Sequence, residues 1–355
     1  MQGEPNANTH STERESRSLT NIFLEQFTAF KRLDLNLGQG INVFIGANGT
    51  GKTHLLKVAY AACDITKTGL DFTEKLTRVF LPSGRVLGRL AKRQEERVLA
   101  RIDVFRGNKK LHAFFYSDSE NPASSVTTGY DTWSEDTIES VFIPVKEMLS
   151  HGPGFRSLYA QREVYFEEIY ADILDRAYRP PLREPLGSAR RRILRDLQKA
   201  VEGEITVKNE EFFLQTGHGN LEFTLLAEGM RKLGLLWLLV QNGTLQNGSV
   251  LFWDEPETNL NPKLCEVLID ILLQLQRLGV QILIATHDFA ILKELELQMT
   301  VGDQVRFHAL YRDVSDGELR CESASLPFQL QHSPIDEAFS SLYDREIERS
   351  LGGDE

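Results

Sequence analysis

Residues 41–60 read INVFIGANGTGKTHLLKVAY: a short apolar run, a turn with three glycines and a lysine, then an amphipathic stretch. Residues 41–45 predict a buried strand, and the spacing after Lys52 predicts a helix. Between them, Gly46, Gly51, Lys52 and Thr53 satisfy G-x-x-x-x-G-K-[ST] in the setting that pattern requires, strand before and helix after. Glycine lets the loop of Gly46, Ala47, Asn48, Gly49, Thr50 and Gly51 wrap a phosphate closely with its N–H groups turned inward. The helix N-terminus adds its positive end. Lys52 supplies a point charge for β- and γ-phosphates, and the Thr53 hydroxyl supplies a ligand for Mg²⁺. The plainer reading, an ordinary strand-to-helix turn, leaves the lysine and the matching flanks unexplained.

A second constellation lies further along, in VLFWDEPE. The run Val250 to Trp253 predicts a buried strand, with Asp254 at its end where a carboxylate can hold the water shell of a magnesium ion. Glu255 directs a second carboxylate toward the γ-phosphate, placed to accept a proton from an attacking water. Solvated turn acids are the alternative, but Pro256 and the apolar strand pin both carboxylates at a sheet edge. His287 closes the next predicted strand, in ILIATHD, within reach of the same phosphate; a structural histidine is the alternative.

These motifs sit in an α/β alternation. LTNIFLEQF and AFKRLDLNL predict two strands, ERVLARIDVFRGNKKLHAFFYSD a hairpin, SVFIPV a strand, and residues 155–201 helices broken by RPPLREPLG. Residues 204–225 predict short strands, LLAEGMRKLGLLWLLV a helix, residues 262–278 a long helix, VQILIA a strand, residues 305–325 a hairpin and the C-terminal segment a helix. Apolar residues make up 41% and charged residues 26% of the 355, which argues against a disordered or fibrous chain. Cys63, Cys265 and Cys321 have neither disulfide nor zinc spacing and suit a reducing cytoplasm. Residues 1–18 read as a loose polar tail, not a signal peptide, and no apolar run is long enough for a membrane span.

At these residues the chain resembles the ATPase heads of the ABC superfamily, and more closely the SMC and OLD-type branch of DNA repair and bacterial anti-phage defence. PARIS, Septu and retron-associated ATPases belong to the defence side. The resemblance runs from about residue 19 to 290, through FTAFKRLDLNLGQGINVFIGANGTGKT, LLAEGMRK, VLFWDEPETNLNP and ILIATHD. It implies a P-loop NTPase with an ABC-like mixed core sheet, an antiparallel β lobe and an inserted helical lobe. It also implies ATP and Mg²⁺ as substrate and cofactor. Residues 19–154 and 204–325 would form the ATPase domain, 155–203 the inserted lobe and 326–355 a terminal helix. His287 looks like the switch histidine, and Thr258 to Asn261 are similar to the loop that crosses to a second head. LAEGMRK stands at the signature position, so Gly229 would cap ATP in trans within a homodimer or larger homo-oligomer. Ala227 and Glu228 depart from the family pattern, where serine and a small residue are usual; Arg231 or Lys232 could restore the contact, with a solvated helix face as the alternative.

About 65 residues follow His287, fewer than a further domain needs, so a nuclease or toxin effector would be a separate protein. Two basic segments, 75–110 and 190–199, could follow a nucleic-acid backbone, although charged faces of a hairpin and helices are the plainer reading. The functional expectation is an ATP-hydrolysing head that controls an effector in anti-phage defence. The alternatives are an SMC/RecF-like repair ATPase acting directly on DNA, a transporter subunit, and a nucleotide-gated scaffold.

Overall fold

The computed structural model describes residues 18–161, 164–332 and 334–351. The strands are β1 Leu19–Phe27, β2 Phe30–Asn36, β3 Ile41–Gly46, β4 Leu99–Arg106, β5 Lys109–Tyr116, β6 Val126–Thr128 and β7 Ser140–Ile143. They continue as β8 Glu204–Lys208, β9 Glu211–Thr216, β10 Gly219–Glu222, β11 Val250–Asp254, β12 Gln281–Thr286, β13 Val305–Arg312 and β14 Leu319–Ala324. The α-helices are α1 Lys52–Thr68, α2 Phe72–Phe80, α3 Tyr130–Ser134, α4 Phe155–Gln161, α5 Glu168–Ala177, α6 Ser188–Val201, α7 Glu228–Gln241, α8 Pro262–Leu278, α9 Phe289–Gln298 and α10 Pro334–Leu351.

A six-stranded sheet in the order β14-β13-β3-β12-β11-β7 forms the centre, parallel except for β14. Every residue of β3, β11 and β12 is buried, as expected of strands covered on both faces. Alternate side chains serve opposite cores. Val43, Leu251, Trp253, Ile282 and Ile284 join one cluster with α6, α7 and α8. Phe44, Val250, Phe252, Leu283 and Ala285 join the other, with α1 and an antiparallel sheet of order β2-β1-β4-β5-β6. Each such aliphatic or aromatic side chain contributes about 1.5–3 kcal/mol on burial. β2 shows the alternation of a strand covered on one face only.

Local signals explain the element ends. Asn261 caps α8 by accepting from the Leu264 amide, Pro262 follows at the first helical position, and Gly279 closes the helix at φ 100°. Asp288 caps α9 by accepting from Ala290 and Ile291. In contrast, α1 opens on left-handed Gly51 with no side-chain cap.

Three sequence expectations can be set beside the described residues. Residues 1–17 of the expected tail lie outside the described residues, and Ser18 is buried. The segment 155–203 does not stand off from the body: Ile173 and Leu174 of α5 and Ile193 and Leu197 of α6 are buried in the central core. Most of the basic run 75–110 is buried or paired, while Arg85, Arg89 and Arg93 are exposed. Lys75 and Arg106 are fully buried, while Arg78, Arg97 and Lys109 pair with Glu74, Asp118 and Glu135, and Arg101 and Lys110 both pair with Asp103. Lys92 pairs with Glu318.

Lys75 forms the centre of a buried network tying α1, α2 and α5. Its ammonium lies 2.6 Å from Asp64, 2.8 Å from Asp172 and 3.0 Å from Glu168. Arg176 pairs with the other oxygen of Asp64, and the Tyr60 hydroxyl donates to Asp172 at 2.5 Å. Burial alone would lower the pKa of Lys75; the carboxylates of Asp172, Asp64 and Glu168 outweigh it and raise it.

Candidate functional site

β3, β12 and β11 are neighbours and parallel, with Ile45 paired to Thr286 and Ala285 to Asp254. Their C-terminal ends therefore share one sheet edge. The loop after Gly46, the acids after Trp253 and the histidine after Thr286 meet there, where open α/β sheets bind ligands.

The loop geometry depends on glycine at two points. Gly46 lies so close to β13 that a Cβ would come within 2.5 Å of the Leu310 carbonyl oxygen. Gly51, at φ 85°, would drive a Cβ to 2.5 Å from the Phe30 ring. Ala47, Asn48 and Gly49 are exposed at the loop tip, and the Thr50 hydroxyl donates to Ala47 O at 2.8 Å. Lys52 Nζ folds over the loop and donates to Gly46 O at 2.6 Å and Ala47 O at 3.1 Å. Burial lowers its pKa, opposed by the charges of Glu255, Asp254 and Glu257.

Thr53 Oγ1 donates to the Asp254 carboxylate, 3.0 and 2.9 Å from its two oxygens. Burial raises the Asp254 pKa, with the bond from Thr53 opposing. This hydroxyl–carboxylate pair is an all-oxygen donor set that suits a hard divalent cation holding most of its own water. At Gly46 and Gly51 the space a Cβ would fill is bounded by the chain's own Leu310 carbonyl and Phe30 ring, so this loop conformation requires glycine at both points.

Glu255 follows Asp254 in the left-handed region, at φ 48°, with its amide donating to Ala285 O at 2.8 Å. That turn brings its Oε1 to 3.4 Å from His287 Nδ1. Sequence reasoning left Glu257 unassigned. Its Oε1 lies 3.7 Å from the same ring nitrogen, and burial raises its pKa. The only local signal was a further acid beyond Pro256.

The signature-like segment begins α7. Gly229 packs against its own chain: a Cβ there would lie 2.9 Å from Leu260 Cδ2 and 3.0 Å from Asn259 O. Asn259 Nδ2 donates to Glu228 at 2.8 Å, and buried Lys232 donates to Thr258 O at 2.6 Å. Arg231 pairs with Glu147 at 2.9 Å. Glu228 and Lys232, one unusual for the family and the other a candidate replacement, thus hold the 258–261 loop in cis. No sequence rule paired these positions.

The fold is that of SMC-type head domains, and a short stretch of the chain is similar to a RecF protein. Residues 41–293 match the family described as "AAA domain, putative AbiEii toxin, Type IV TA system", and the chain belongs to that family. Among solved structures, an SMC head bound to the C-winged helix domain of ScpA matches at TM-score 0.55 and 11% identity, over 89% of this chain and all of that one. An Smc head domain with an extended coiled coil, bound to the C-terminal domain of ScpA derived from Pyrococcus furiosus, matches at 0.50 and 11%, over 93% and 99%. These likenesses concern fold. A stretch of 56 residues is 43% identical to the DNA replication and repair protein RecF of Cytophaga hutchinsonii, covering 16% of this chain and 15% of that protein. No helix among the described residues is long and apolar enough to cross a membrane.

Proposed function

We propose that the chain hydrolyses ATP at the β3-β12-β11 edge, in a Mg²⁺-dependent reaction, and that its nucleotide state governs a separate effector. The observation that carries this reading is the convergence of Lys52, Thr53, Asp254, Glu255 and His287 from three adjacent strand ends. Lys52 and the loop amides hold the β- and γ-phosphates of the substrate. Thr53 and Asp254 would hold the metal, which when bound supplies charge stabilisation for the transferred phosphoryl group. Glu255 takes a proton from the attacking water as its oxygen bonds to the γ-phosphorus and the bridging bond to ADP breaks. His287 steadies the γ-phosphate. Gly229, at the start of α7, would approach ATP held by a second copy, giving a homodimer or larger assembly.

The test is phosphate release by the purified chain with and without Mg²⁺, beside Glu255→Gln. Loss of a general base typically costs about 10² to 10⁴ in rate, so the variant should bind ATP normally and turn over slowly. Parental turnover would remove Glu255 from the mechanism.

Placement in anti-phage defence draws support from the family description, which names a toxin of a toxin–antitoxin system. A neighbouring gene for a nuclease, toxin or antitoxin would support it. The second reading, a repair ATPase acting on DNA, draws support from the RecF stretch and from α6, where Arg191, Arg192, Arg195 and Lys199 are exposed. Binding of duplex DNA that weakens steeply with salt, and is lost when those four become alanine, would favour it.

A further inference from the structure

The turn that carries His287 is shaped by a carboxylate from another loop. Glu257, on the segment after β11, has a side chain only 7% exposed. Its Oε1 accepts from Thr286 Oγ1 at 2.7 Å and from the His287 amide at 3.3 Å. The Thr286 hydroxyl in turn accepts from the Asp288 amide at 3.0 Å. One carboxylate oxygen thereby orders three consecutive residues at the end of β12.

The ring of His287 is flanked on its Nδ1 side by Glu255 Oε1 at 3.4 Å and Glu257 Oε1 at 3.7 Å. Two carboxylate oxygens beside one ring nitrogen favour that nitrogen as the N–H, because an acceptor there would face negative charge. Folding alone does not account for Glu257. Its Oε2 is buried without a hydrogen-bond partner, and leaving a buried polar atom unpaired costs about 1–3 kcal/mol. Retaining such an oxygen is understandable where the acid serves the site.

We infer that Glu257 is the positioning residue for His287: through Oε1 it fixes the 286–288 turn, and so holds the ring where Glu255 and Glu257 together keep the proton on Nδ1 and leave Nε2 for the terminal phosphate. The inference rests on the role proposed above for His287. Glu257 acts through the histidine.

The test is a double-mutant cycle with a spectroscopic arm. Glu257→Ala should lower kcat about 10- to 100-fold, on the scale known for partners that orient metal-bound histidines, with KM for ATP little changed. Glu257→Gln, whose amide oxygen can still accept from Thr286 and the His287 amide, should recover most of the rate. In a His287→Ala background, Glu257→Ala should have no further effect. Nitrogen-15 NMR of the His287 ring should show the Nδ1 proton in the parent and in Glu257→Gln, and a shift toward the other tautomer in Glu257→Ala. A His287→Ala variant that turns over at the parental rate overturns the role of the histidine. A ring that keeps its Nδ1 proton in Glu257→Ala, or an equal loss of kcat with and without His287, overturns the role of Glu257.

Discussion

Two helices of this molecule begin near a glycine beside a candidate nucleotide contact, and they begin differently. α1 starts on Gly51, left-handed and uncapped, with an exposed loop tip ahead of it. α7 starts at Glu228 and Gly229, and its first turn is held against residues 258–260 by a side-chain bond, a buried lysine and direct packing. At α1, glycine takes a left-handed turn pressed against the Phe30 ring, with the loop tip ahead of it exposed. At α7, glycine creates close contact between two segments of the same chain. Glycine at a helix start therefore has two meanings, and the neighbours decide which applies.

The strongest challenge to this contrast is Lys52→Ala. Hydrogen bonds to charged groups contribute about 1.5–3 kcal/mol each, so losing the lysine from two phosphates should weaken ATP binding on the order of 10²- to 10⁴-fold. Equilibrium titration with a labelled nucleotide measures it, and unchanged affinity would mean that α1 does not open on a phosphate cradle.

A smaller effect is expected at the other helix. Gly229→Ala gains about 1 kcal/mol of helix propensity, but the new Cβ overpacks Leu260 and Asn259, at about 1–3 kcal/mol. Overpacking wins, so the melting temperature should fall by a few degrees while ATP affinity at Lys52 persists. A stabilised variant would show that α7 is not clamped in cis.

The smallest effect belongs to the exposed bond between Glu228 and Asn259. A double-mutant cycle of Glu228→Ala and Asn259→Ala, read by denaturant unfolding, should give a coupling of about 0.5–1.5 kcal/mol. Zero coupling would leave Lys232 and Gly229 as the remaining ties between α7 and the loop.

How far the sequence revealed all this follows from distance along the chain. The P-loop and α8 were legible because their signals are local: glycine spacing in one and the apolar period over residues 262–278 in the other. The expected ABC-like fold is the one found. Helices 155–203 read as a lobe because their local pattern is strongly charged, yet a few positions such as Ile173 and Leu197 suffice to anchor them in the core. The basic run 75–110 raises the same issue. A count along the chain does not show that the acids meeting Lys75 lie at positions 64, 168 and 172. Glu257 went unassigned because its partners, Thr286 and His287, come from another strand.

The charge cluster around Lys75 also bears on mechanics. A one-residue slide of α1 is a rise of about 1.5 Å, enough to separate Asp64 from Lys75 and Arg176. Breaking a buried ion pair costs about 3–5 kcal/mol. The helix under the phosphate loop is thus a fixed footing, keyed from behind to α2 and α5.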